Sequence, residues 1–295
     1  MKKVNLSSAD LQALTEVAIA AATAAGNAIS EYDCKDLVVQ NKADKASLAS
    51  QVVTEVDILS QKIILDTLAP AVSKYDFAVL AEESSDDKLR LEKEFFWCVD
   101  PLDGTLPFIN QKAGYAVSIA LVSKEGIPFV GVVFDPATKT LYHASKGQGA
   151  FRNSRKWCKG IGCPAARLSI SVDNSLVNSD GFKLFCEQLE RIAADLGYRG
   201  LNVLDPGGAV MNALWALEQQ PGCYVKYPKP KGGSLWDYAA AAAIYQEFGA
   251  VACDIYGQPL ELNRPDSTYM NHKGIIFASD ELTAQAILKS HSDSA

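Results

Sequence analysis

A buried strand that runs straight into an acidic turn is the feature that most constrains this chain. Residues 95–99 read Phe-Phe-Trp-Cys-Val, an apolar run with the aromatic and β-branched content of a core strand. The run is followed by Asp100-Pro101-Leu102-Asp103-Gly104-Thr105, a predicted turn that contains proline and glycine. Asp, Pro and Gly are also common in ordinary surface turns. Carboxylates at the end of a core strand, however, are poorly hydrated unless they are paired or bound to metal, so this position favours a cation site.

Other acids share this placement at the ends of predicted elements. Glu82 and Glu83 follow a short apolar strand at 77–81, Asp57 lies in the first turn of a helix predicted to begin near Thr54, and Asp237 opens a late alanine-rich helix. Groups at element ends commonly face a shared cleft. For each acid alone, helix capping is the competing interpretation.

The donor types in this set predict the metal and the reaction. Four or five carboxylates without histidine or cysteine select hard ions, so Mg²⁺ or Mn²⁺ is favoured over zinc. Paired metals suit phosphoryl hydrolysis, in which one ion activates water and the other stabilises the leaving oxygen. No Gly-x-Ser-x-Gly elbow and no P-loop motif is present in the sequence, which argues against a serine hydrolase and a P-loop nucleotide-binding protein.

The net charge and the lengths of the apolar runs limit the kinds of partner that this chain is expected to bind. The 295 residues carry a formal net charge of −7, which argues against binding to a nucleic-acid polymer or to an anionic membrane surface. No apolar run reaches the ~18 residues that a membrane span needs. Asp10 and Glu16 interrupt the apolar N-terminal segment, so we expect an amphipathic first helix with Ser7 in a capping box.

The cysteines indicate a reducing compartment. Seven cysteines are scattered along the chain without a Cys-x-x-Cys pair, which predicts reduced thiols in a cytoplasmic protein. Cys158 and Cys163 form the one close pair, and a zinc site there lacks two further ligands.

The order of predicted elements changes between the two halves of the chain. Residues 1–157 read as an α+β domain: helices to about residue 32 and from about 54 to 70, a polar loop at 41–51, and strands at 77–81, 95–99, 115–123, 128–135, 140–144 and 150–152. A segment rich in Gly, Pro and Cys at 158–167 is a plausible boundary. Residues 167–295 then alternate as an α/β domain: strands at 168–172, 198–204 and 224–227, with helices at 180–196, 207–218 and 236–248.

Three blocks of this sequence resemble the signature motifs of the inositol monophosphatase superfamily. They are Ala81-Glu82-Glu83-Ser84, Trp97-Cys98-Val99-Asp100-Pro101-Leu102-Asp103-Gly104-Thr105, and Leu235-Trp236-Asp237-Tyr238-Ala239-Ala240 followed by Glu247-Phe248-Gly249-Ala250. The blocks occur in the order and spacing of the family and span nearly the whole chain. The resemblance implies a layered αβαβα fold and a Mg²⁺-dependent, lithium-inhibited phosphomonoesterase that acts on a small phosphorylated substrate, with a homodimer as a possible assembly.

The resemblance also implies roles for individual residues. Two or three Mg²⁺ ions would be held by Glu82, Asp100, Asp103, Asp237 and the carbonyl of Leu102. Thr105, hydrogen-bonded to Asp57, would orient the attacking water, and Glu83 would support the metal ligands. The segment with Lys42 and Asp44 resembles a mobile loop that completes a third metal site. Substrate would contact the backbone of Gly104 and Thr105, together with Ala209, Lys229 and Lys231.

The segment before Asp237 favours one subgroup of the family. Inositol monophosphatases usually place a hydroxyl-binding acid seven residues before this aspartate, and here that position is Pro230. Tyr227-Pro228-Lys229, and Arg264-Pro265-Asp266-Ser267 further on, look more like the bacterial 3'(2'),5'-bisphosphate nucleotidases. Lys226, Lys229 and Lys231 could then meet a second phosphate, or they are solvated loop charges.

Two departures leave the alternatives open. Leu106-Pro107 replaces the Lys-Glu pair usual in those nucleotidases, and the segment 207–212 is closer to the inositol phosphatase pattern. The substrate prediction therefore favours adenosine 3',5'-bisphosphate, with inositol 1-phosphate or another sugar or polyol phosphate as the alternative. A non-catalytic sensor of phosphorylated ligands is a more remote alternative, since all the carboxylate positions are filled.

Overall fold

Two β-sheets lie in separate layers of the protein. The computed structural model describes residues 5–32, 45–159, 167–229 and 232–292. The first sheet contains seven strands in chain order, β1 to β7, with β1 parallel to β2 and each later pair antiparallel. Their bounds are Ala78–Ala81, Phe95–Asp103, Ala116–Ser123, Pro128–Asp135, Thr140–Ser145, Gly149–Arg152 and Arg155–Trp157.

The second sheet contains five strands in the order β11-β12-β10-β8-β9. Strand β8 is parallel to both β9 and β10, whereas β12 is antiparallel to β10 and β11. The strands β8 to β12 span Leu168–Ser171, Leu201–Val203, Gly222–Lys226, Val251–Cys253 and Ile275–Ala278. All strands described before residue 158 belong to the first sheet, and those after residue 167 to the second.

Helices cover both sheets and fill the space between them. The helices α1 to α8 span Ser8–Glu31, Lys45–Tyr75, Thr105–Ile109, Asn174–Val177, Phe182–Asp195, Ala209–Glu218, Leu235–Phe248 and Glu281–Ser292. Helices α1 and α2 pack on the outer face of the first sheet, α6 and α7 lie between the sheets, and α5 and α8 cover the outer face of the second. The layers therefore follow the predicted order αβαβα.

Strand β2 shows why this layering follows from the sequence. All nine of its residues are buried. Phe95, Trp97 and Val99 face α1 and α2, whereas Phe96 and Cys98 face the helices between the sheets. A strand covered on both faces needs a continuous apolar run rather than an alternating one. The run that first marked this segment is therefore the consequence of its central position.

The first helix follows the prediction, cap included. The Asp10 N–H donates to the Ser7 hydroxyl at 3.2 Å, and the Ser7 N–H donates to the Asp10 carboxylate at 3.0 Å. By length and apolar composition this helix could also cross a membrane. Leu11, Leu14 and Ala18 lie on its buried face, which packs in the core with α2 and the first sheet.

Helix α2 is longer than predicted at both ends. It begins at Lys45 rather than near Thr54, and it continues through Pro70 to Tyr75. Residues 45–51 are thus helical and not a loop, while the predicted loop residues 41–44 lie outside the described part of the chain. A proline inside a helix removes one backbone hydrogen bond. Leu68 and Ala71 on either side of Pro70 are buried in the core, and this packing outweighs that cost.

Two predicted strands have clearly different bounds. Strand β2 continues through the predicted turn to Asp103, because Asp100 and Asp103 still pair with β3, and β9 spans Leu201–Val203 and not the whole of 198–204. Strands β7, β11 and β12 and helices α4 and α8 were not predicted. The division into domains 1–157 and 167–295 stays a prediction, because α6 and α7 pack against both sheets in one continuous core.

Candidate active site

Three predicted metal ligands meet where the central strands end. Strands β1 and β2 are parallel and end at the same edge of the sheet, which places Glu82 beside Asp100. Asp103 closes β2, and Asp237 lies in the first turn of α7 between the sheets. Carboxylate oxygens of Asp100, Asp103 and Asp237 all lie within 4.8 Å of one another. The predicted convergence of these acids is therefore present in the structure.

Hydrogen bonds hold each carboxylate in place. One oxygen of Asp100 accepts the Leu102 N–H at 3.0 Å, and the neighbouring Glu82 carboxyl group is close enough to affect the pKa of Asp100. Asp237 accepts the Ser234 N–H at 2.9 Å within a capping box. These bonds leave further carboxylate lone pairs free for other ligands.

Asp103 reaches across to the layer between the sheets. Its two oxygens accept the N–H groups of Ala209 and Val210 at 3.1 and 2.9 Å. These are free N–H groups in the first turn of α6, so Asp103 satisfies them and also meets the positive end of the helix dipole. Ala209 was predicted to contact substrate, but its N–H already donates to Asp103 in this structure.

Loss of hydration raises the pKa of five carboxyl groups here, those of Asp57, Glu82, Asp100, Asp103 and Asp237, although the Glu82 side chain is still partly exposed to solvent. This loss raises the pKa of Asp57 and of Glu82 to about 7, with repulsion from neighbouring acids adding to the effect. The pKa of Asp237 is raised to about 6, where the Ser234 N–H and Lys226 partly offset its burial. The pKa values of Asp100 and Asp103 lie well above the usual range for the same reason of burial.

The acidic cluster fits a hard divalent cation. Its donors are all oxygens, Asp100 is only 1% exposed, and the raised pKa values show that the negative charges lack compensation. Carboxylates are buried at low cost only when they are paired or bound to metal. Mg²⁺ or Mn²⁺ matches this donor set better than zinc, which prefers nitrogen and sulfur.

Gly104 shapes the turn that follows the acids. Its φ of +83° is left-handed, and a Cβ there would overlap the Gly114 carbonyl oxygen and lie 2.9 Å from the Tyr115 Cα. Only glycine fits such a position without strain. Thr105 begins the short helix α3 with its side chain exposed.

The predicted pair of Thr105 and Asp57 is not hydrogen-bonded within the described part of this structure. Asp57 lies well inside α2 and not in its first turn as predicted, because the helix begins at Lys45. Its carboxyl group is buried near Glu82 and Glu83. Glu83 is exposed, and its N–H donates to the Gln61 side chain at 3.0 Å. The roles assigned to Thr105, Asp57 and Glu83 stay predictions.

The lysines predicted to meet substrate are placed unequally. The Lys226 ammonium lies 2.8 Å from the Asp173 carboxylate and close to the ring of Tyr238. Lys229 is exposed, with its N–H bonded to the Asn271 carbonyl at 2.8 Å. Lys231, like Pro230, Lys42, Asp44 and Cys163, lies outside the described residues.

Asp173 was missed by the sequence analysis. It accepts the Tyr224 hydroxyl at 2.6 Å and the Asn212 amide at 3.2 Å, in addition to the Lys226 ammonium. It follows the buried strand β8 by two residues, and an acid after an apolar strand is the signal that identified Glu82 and Asp100. Asp173 links strand β10 to the start of α6, beside the acidic cluster.

A cavity of about 570 Å³ lies beyond the turn of Thr105. Its walls include Leu106, Pro107, Pro206 and Trp215, and none of the clustered acids lines it. This cavity borders the candidate site and is distinct from the point where the carboxylates meet.

The fold and the acidic cluster together define a metal-dependent phosphatase of the layered αβαβα class. The chain belongs to the inositol monophosphatase family, whose family model matches residues 10–294. The protein is therefore an enzyme, a phosphoric monoester hydrolase acting on small phosphorylated substrates.

Relatives in this family carry more than one named activity. Inositol monophosphatase 2 of Mus musculus is 27% identical over 259 residues, which cover 84% of this chain and 81% of that protein. The 3'(2'),5'-bisphosphate nucleotidase CysQ of Shigella flexneri is 30% identical over 253 residues, covering 84% of this chain and 92% of that protein. Sequence similarity to named relatives thus does not favour one substrate decisively.

Solved structures give the same family and the same fold. The structure of 2'AMP bound SaIMPase-II superposes with a TM-score of 0.69 at 25% identity, covering 96% of both chains. The inositol monophosphatase of Anabaena (Nostoc) sp. PCC 7120 has a TM-score of 0.69 at 22% identity, covering 96% of this chain and 97% of that one. The latter likeness concerns the fold alone.

Proposed function

We propose that this protein is a Mg²⁺-dependent phosphomonoesterase that uses a metal-activated water. The observation that carries the proposal is the convergence of Asp100, Asp103 and Asp237, with carboxylate oxygens within 4.8 Å of one another. These oxygens, with Glu82 and the Leu102 carbonyl, would hold two or three Mg²⁺ ions. Bound Mg²⁺ supplies a Lewis acid and lowers the pKa of its water.

The residues around the metal ligands have separate tasks in this proposal. The free N–H groups of Gly104 and Thr105 stand at the start of α3 and bind the phosphate of the substrate. The Thr105 hydroxyl orients the attacking water, with Asp57 as its partner and acceptor. Glu83 lies beside this pair and supports it through its charge, since it already raises the pKa of Asp57.

The favoured substrate is adenosine 3',5'-bisphosphate, hydrolysed to AMP. The support for this substrate is Pro230, which stands where inositol monophosphatases usually have an acid. A similar protein, SaIMPase-II, is known both with 2'AMP and with inositol monophosphate bound, so it favours neither substrate. Because Asp173 already neutralises Lys226, contact with a second phosphate depends mainly on Lys229 and Lys231. This activity would place the protein in the cytoplasm and in sulfate assimilation.

The second candidate is hydrolysis of inositol 1-phosphate or a related polyol phosphate. It is supported by the Gly207–Asn212 pattern at the start of α6. There the Asn212 side chain accepts the Gly207 N–H at 2.9 Å and donates to the Gly207 carbonyl at 3.1 Å.

The homodimer also stays a prediction, which light scattering on the purified protein would test.

The deciding experiment compares phosphate release from the two esters under identical conditions. We expect Mg²⁺-dependent release, inhibition by millimolar lithium, and a higher kcat/KM for adenosine 3',5'-bisphosphate. Full activity after chelation with EDTA would overturn the metal mechanism. A higher kcat/KM for inositol 1-phosphate would overturn the substrate assignment and leave the reaction class intact.

A further inference from the structure

Arg90 is a buried cation that none of the proposed chemistry uses. It lies between Glu82 and Asp100 in sequence, in a single 3-10 turn, and is 1% exposed. Its Nε donates to Asp86 at 3.0 Å, and Nη2 lies 2.9 Å from the same carboxylate oxygen. Nη2 has this ion-pair contact but no hydrogen-bond partner among the described residues. The Asp86 carboxylate compensates the buried charge of Arg90.

The other end of the guanidinium binds a distant segment of the chain. Nη1 donates to the Asn263 side-chain oxygen at 2.6 Å and to the Arg264 carbonyl at 2.7 Å. The Asn263 amide donates back to the Arg90 carbonyl at 3.0 Å and to the Lys124 carbonyl at 2.9 Å. Arg90 and Asn263 therefore form a reciprocal contact, here called the anchor.

The segment that follows the anchor, residues 263–271, is bonded to the chain just before Asp237. The Leu235 N–H donates to the Thr268 carbonyl at 2.9 Å, and the Met270 N–H donates to the Gly233 carbonyl at 2.8 Å. Ser234, the N-cap of α7, forms a β-bridge with Tyr269. The same segment bonds Lys229 through the Asn271 carbonyl.

From this continuity we infer that Arg90 is a positioning residue for Asp237 and for residues 233–235 just before it. The anchor fixes residues 263–264 to the side of the protein that supplies Glu82 and Asp100. Residues 268–271 then carry that fixed position to Ser234 and Leu235, at the start of α7. The inference rests on the proposed function, because it assigns Asp237 to the metal.

The competing explanation is that the anchor is a purely stabilising contact, here called a staple. A staple would change only the free energy of unfolding. A positioning contact also keeps Asp237 at its distance from Asp100 before the metal arrives, so its loss weakens metal binding in the folded enzyme. Excess Mg²⁺ would restore the arrangement, because metal binding itself draws the carboxylates together.

The test uses Arg90→Lys and Asn263→Ala, with Arg152→Lys as a control for the loss of an arginine ion pair at a more exposed site. Arg152 pairs with Glu218 at 2.8 Å, at the opposite end of α6 from Asp103. We expect each anchor variant to raise the half-saturating Mg²⁺ concentration roughly threefold to tenfold. This is less than the loss of about 10- to 100-fold for a residue bonded directly to a metal ligand, because the anchor acts through residues 268–271. At saturating Mg²⁺, kcat should stay within about threefold of the unmodified enzyme. The control should leave both quantities unchanged.

A second measurement does not depend on activity. Amide hydrogen exchange at residues 232–237 should rise in both anchor variants and not in Arg152→Lys. The half-saturating Mg²⁺ concentration of the double variant should exceed that of either single variant by no more than about twofold, because both substitutions remove the same contact. If Arg90→Lys does not fold, Asn263→Ala provides the same test from the more exposed partner.

Two outcomes would overturn the inference. One is a lowered Tm in the anchor variants with an unchanged half-saturating Mg²⁺ concentration, which identifies a staple. The other is unchanged exchange at 232–237. If the unmodified protein releases no phosphate with Mg²⁺, the proposed function fails, and the exchange data alone decide whether the anchor positions α7.

Discussion

The Ser60 hydroxyl donates a 2.7 Å hydrogen bond to the carbonyl oxygen of Pro101, inside the acidic turn between Asp100 and Asp103. The next residue, Gln61, accepts the Glu83 N–H and donates to the Ser84 hydroxyl, both at 3.0 Å. Positions three and four residues apart share a helix face, so Asp57 lies on the same face of α2. One face of one helix thus fixes Asp57 against both acidic turns.

Replacement of Ser60 by alanine should therefore reduce activity as well as stability. A buried carbonyl without a partner costs about 1 kcal/mol or more, and the Pro101 turn would be free to shift relative to Asp57. We expect a roughly tenfold lower kcat/KM, measured by phosphate release. Thr67→Val is the control, since the Thr67 hydroxyl bonds only the Ile63 carbonyl in its own helix. Equal activity loss in both variants would contradict this interpretation.

Asp100→Asn should abolish activity and yet stabilise the metal-free protein. Loss of a metal ligand removes several kcal/mol of transition-state stabilisation, which is at least about 10³-fold in rate. Without metal, folding must either protonate this carboxyl group or bury its charge against Glu82, Asp103 and Asp237, and asparagine removes that cost. A higher Tm in EDTA than for the unmodified protein is therefore expected.

The control for that experiment is Asp195→Asn, an exposed acid at the end of α5. It should leave both the rate and the Tm nearly unchanged. An Asp100→Asn variant that loses stability in EDTA would show that the acidic cluster is not strained without metal.

The raised pKa values predict how stability depends on pH. Asp57 and Glu82 move from ordinary values of 3.8 and 4.5 to about 7 in the folded protein. The folded state then binds more protons than the unfolded chain over this range. The contribution of these groups to stability is full below about pH 4 and is lost as pH rises through about 7.

Bound Mg²⁺ competes with those protons for the carboxylates. The stabilisation that Mg²⁺ gives should therefore increase as pH rises. We expect the increase in Tm on adding Mg²⁺ to be larger near pH 8 than near pH 5.5, by differential scanning fluorimetry. An increase of equal size at both pH values would mean that the carboxyl groups are already ionised at the lower pH.

Gly208→Ala should displace Asp103 directly. A Cβ at this position would overlap the Asp103 Oδ2 and lie 2.6 Å from the Gly104 nitrogen. Both the capping of α6 and the predicted phosphate contact would be disturbed, so we expect a loss of roughly 100-fold in kcat/KM. Gly181→Ala is the control, because a Cβ there would meet its nearest neighbour at 3.7 Å. Normal activity of Gly208→Ala would show that the turn can move without consequence.

Local patterns in the sequence predicted the acids in two ways. Glu82 and Asp100 each follow an abrupt change from apolar to polar residues, whereas Asp57 and Asp237 were predicted from their places near helix starts. Glu82 and Asp100 are recognisable from a few neighbours, and the layered fold followed from the family motifs. The course of α2 through Pro70 was not predictable, since buried contacts of Leu68 and Ala71 decide it. The pairing of Asp173 with Lys226 joins residues from different strands, and no local signal reports which acid neutralises which lysine.

Because Asp103 caps α6, the acidic cluster also has a structural role in the layer between the sheets. Both helices of the middle layer begin at this cluster, α6 under the Asp103 carboxylate and α7 with Asp237 in its first turn. Neutralising these charges acts on the one layer that touches both sheets. Binding of a divalent cation at this cluster should therefore slow amide hydrogen exchange in both helices, and the metal-free enzyme should be the more flexible form.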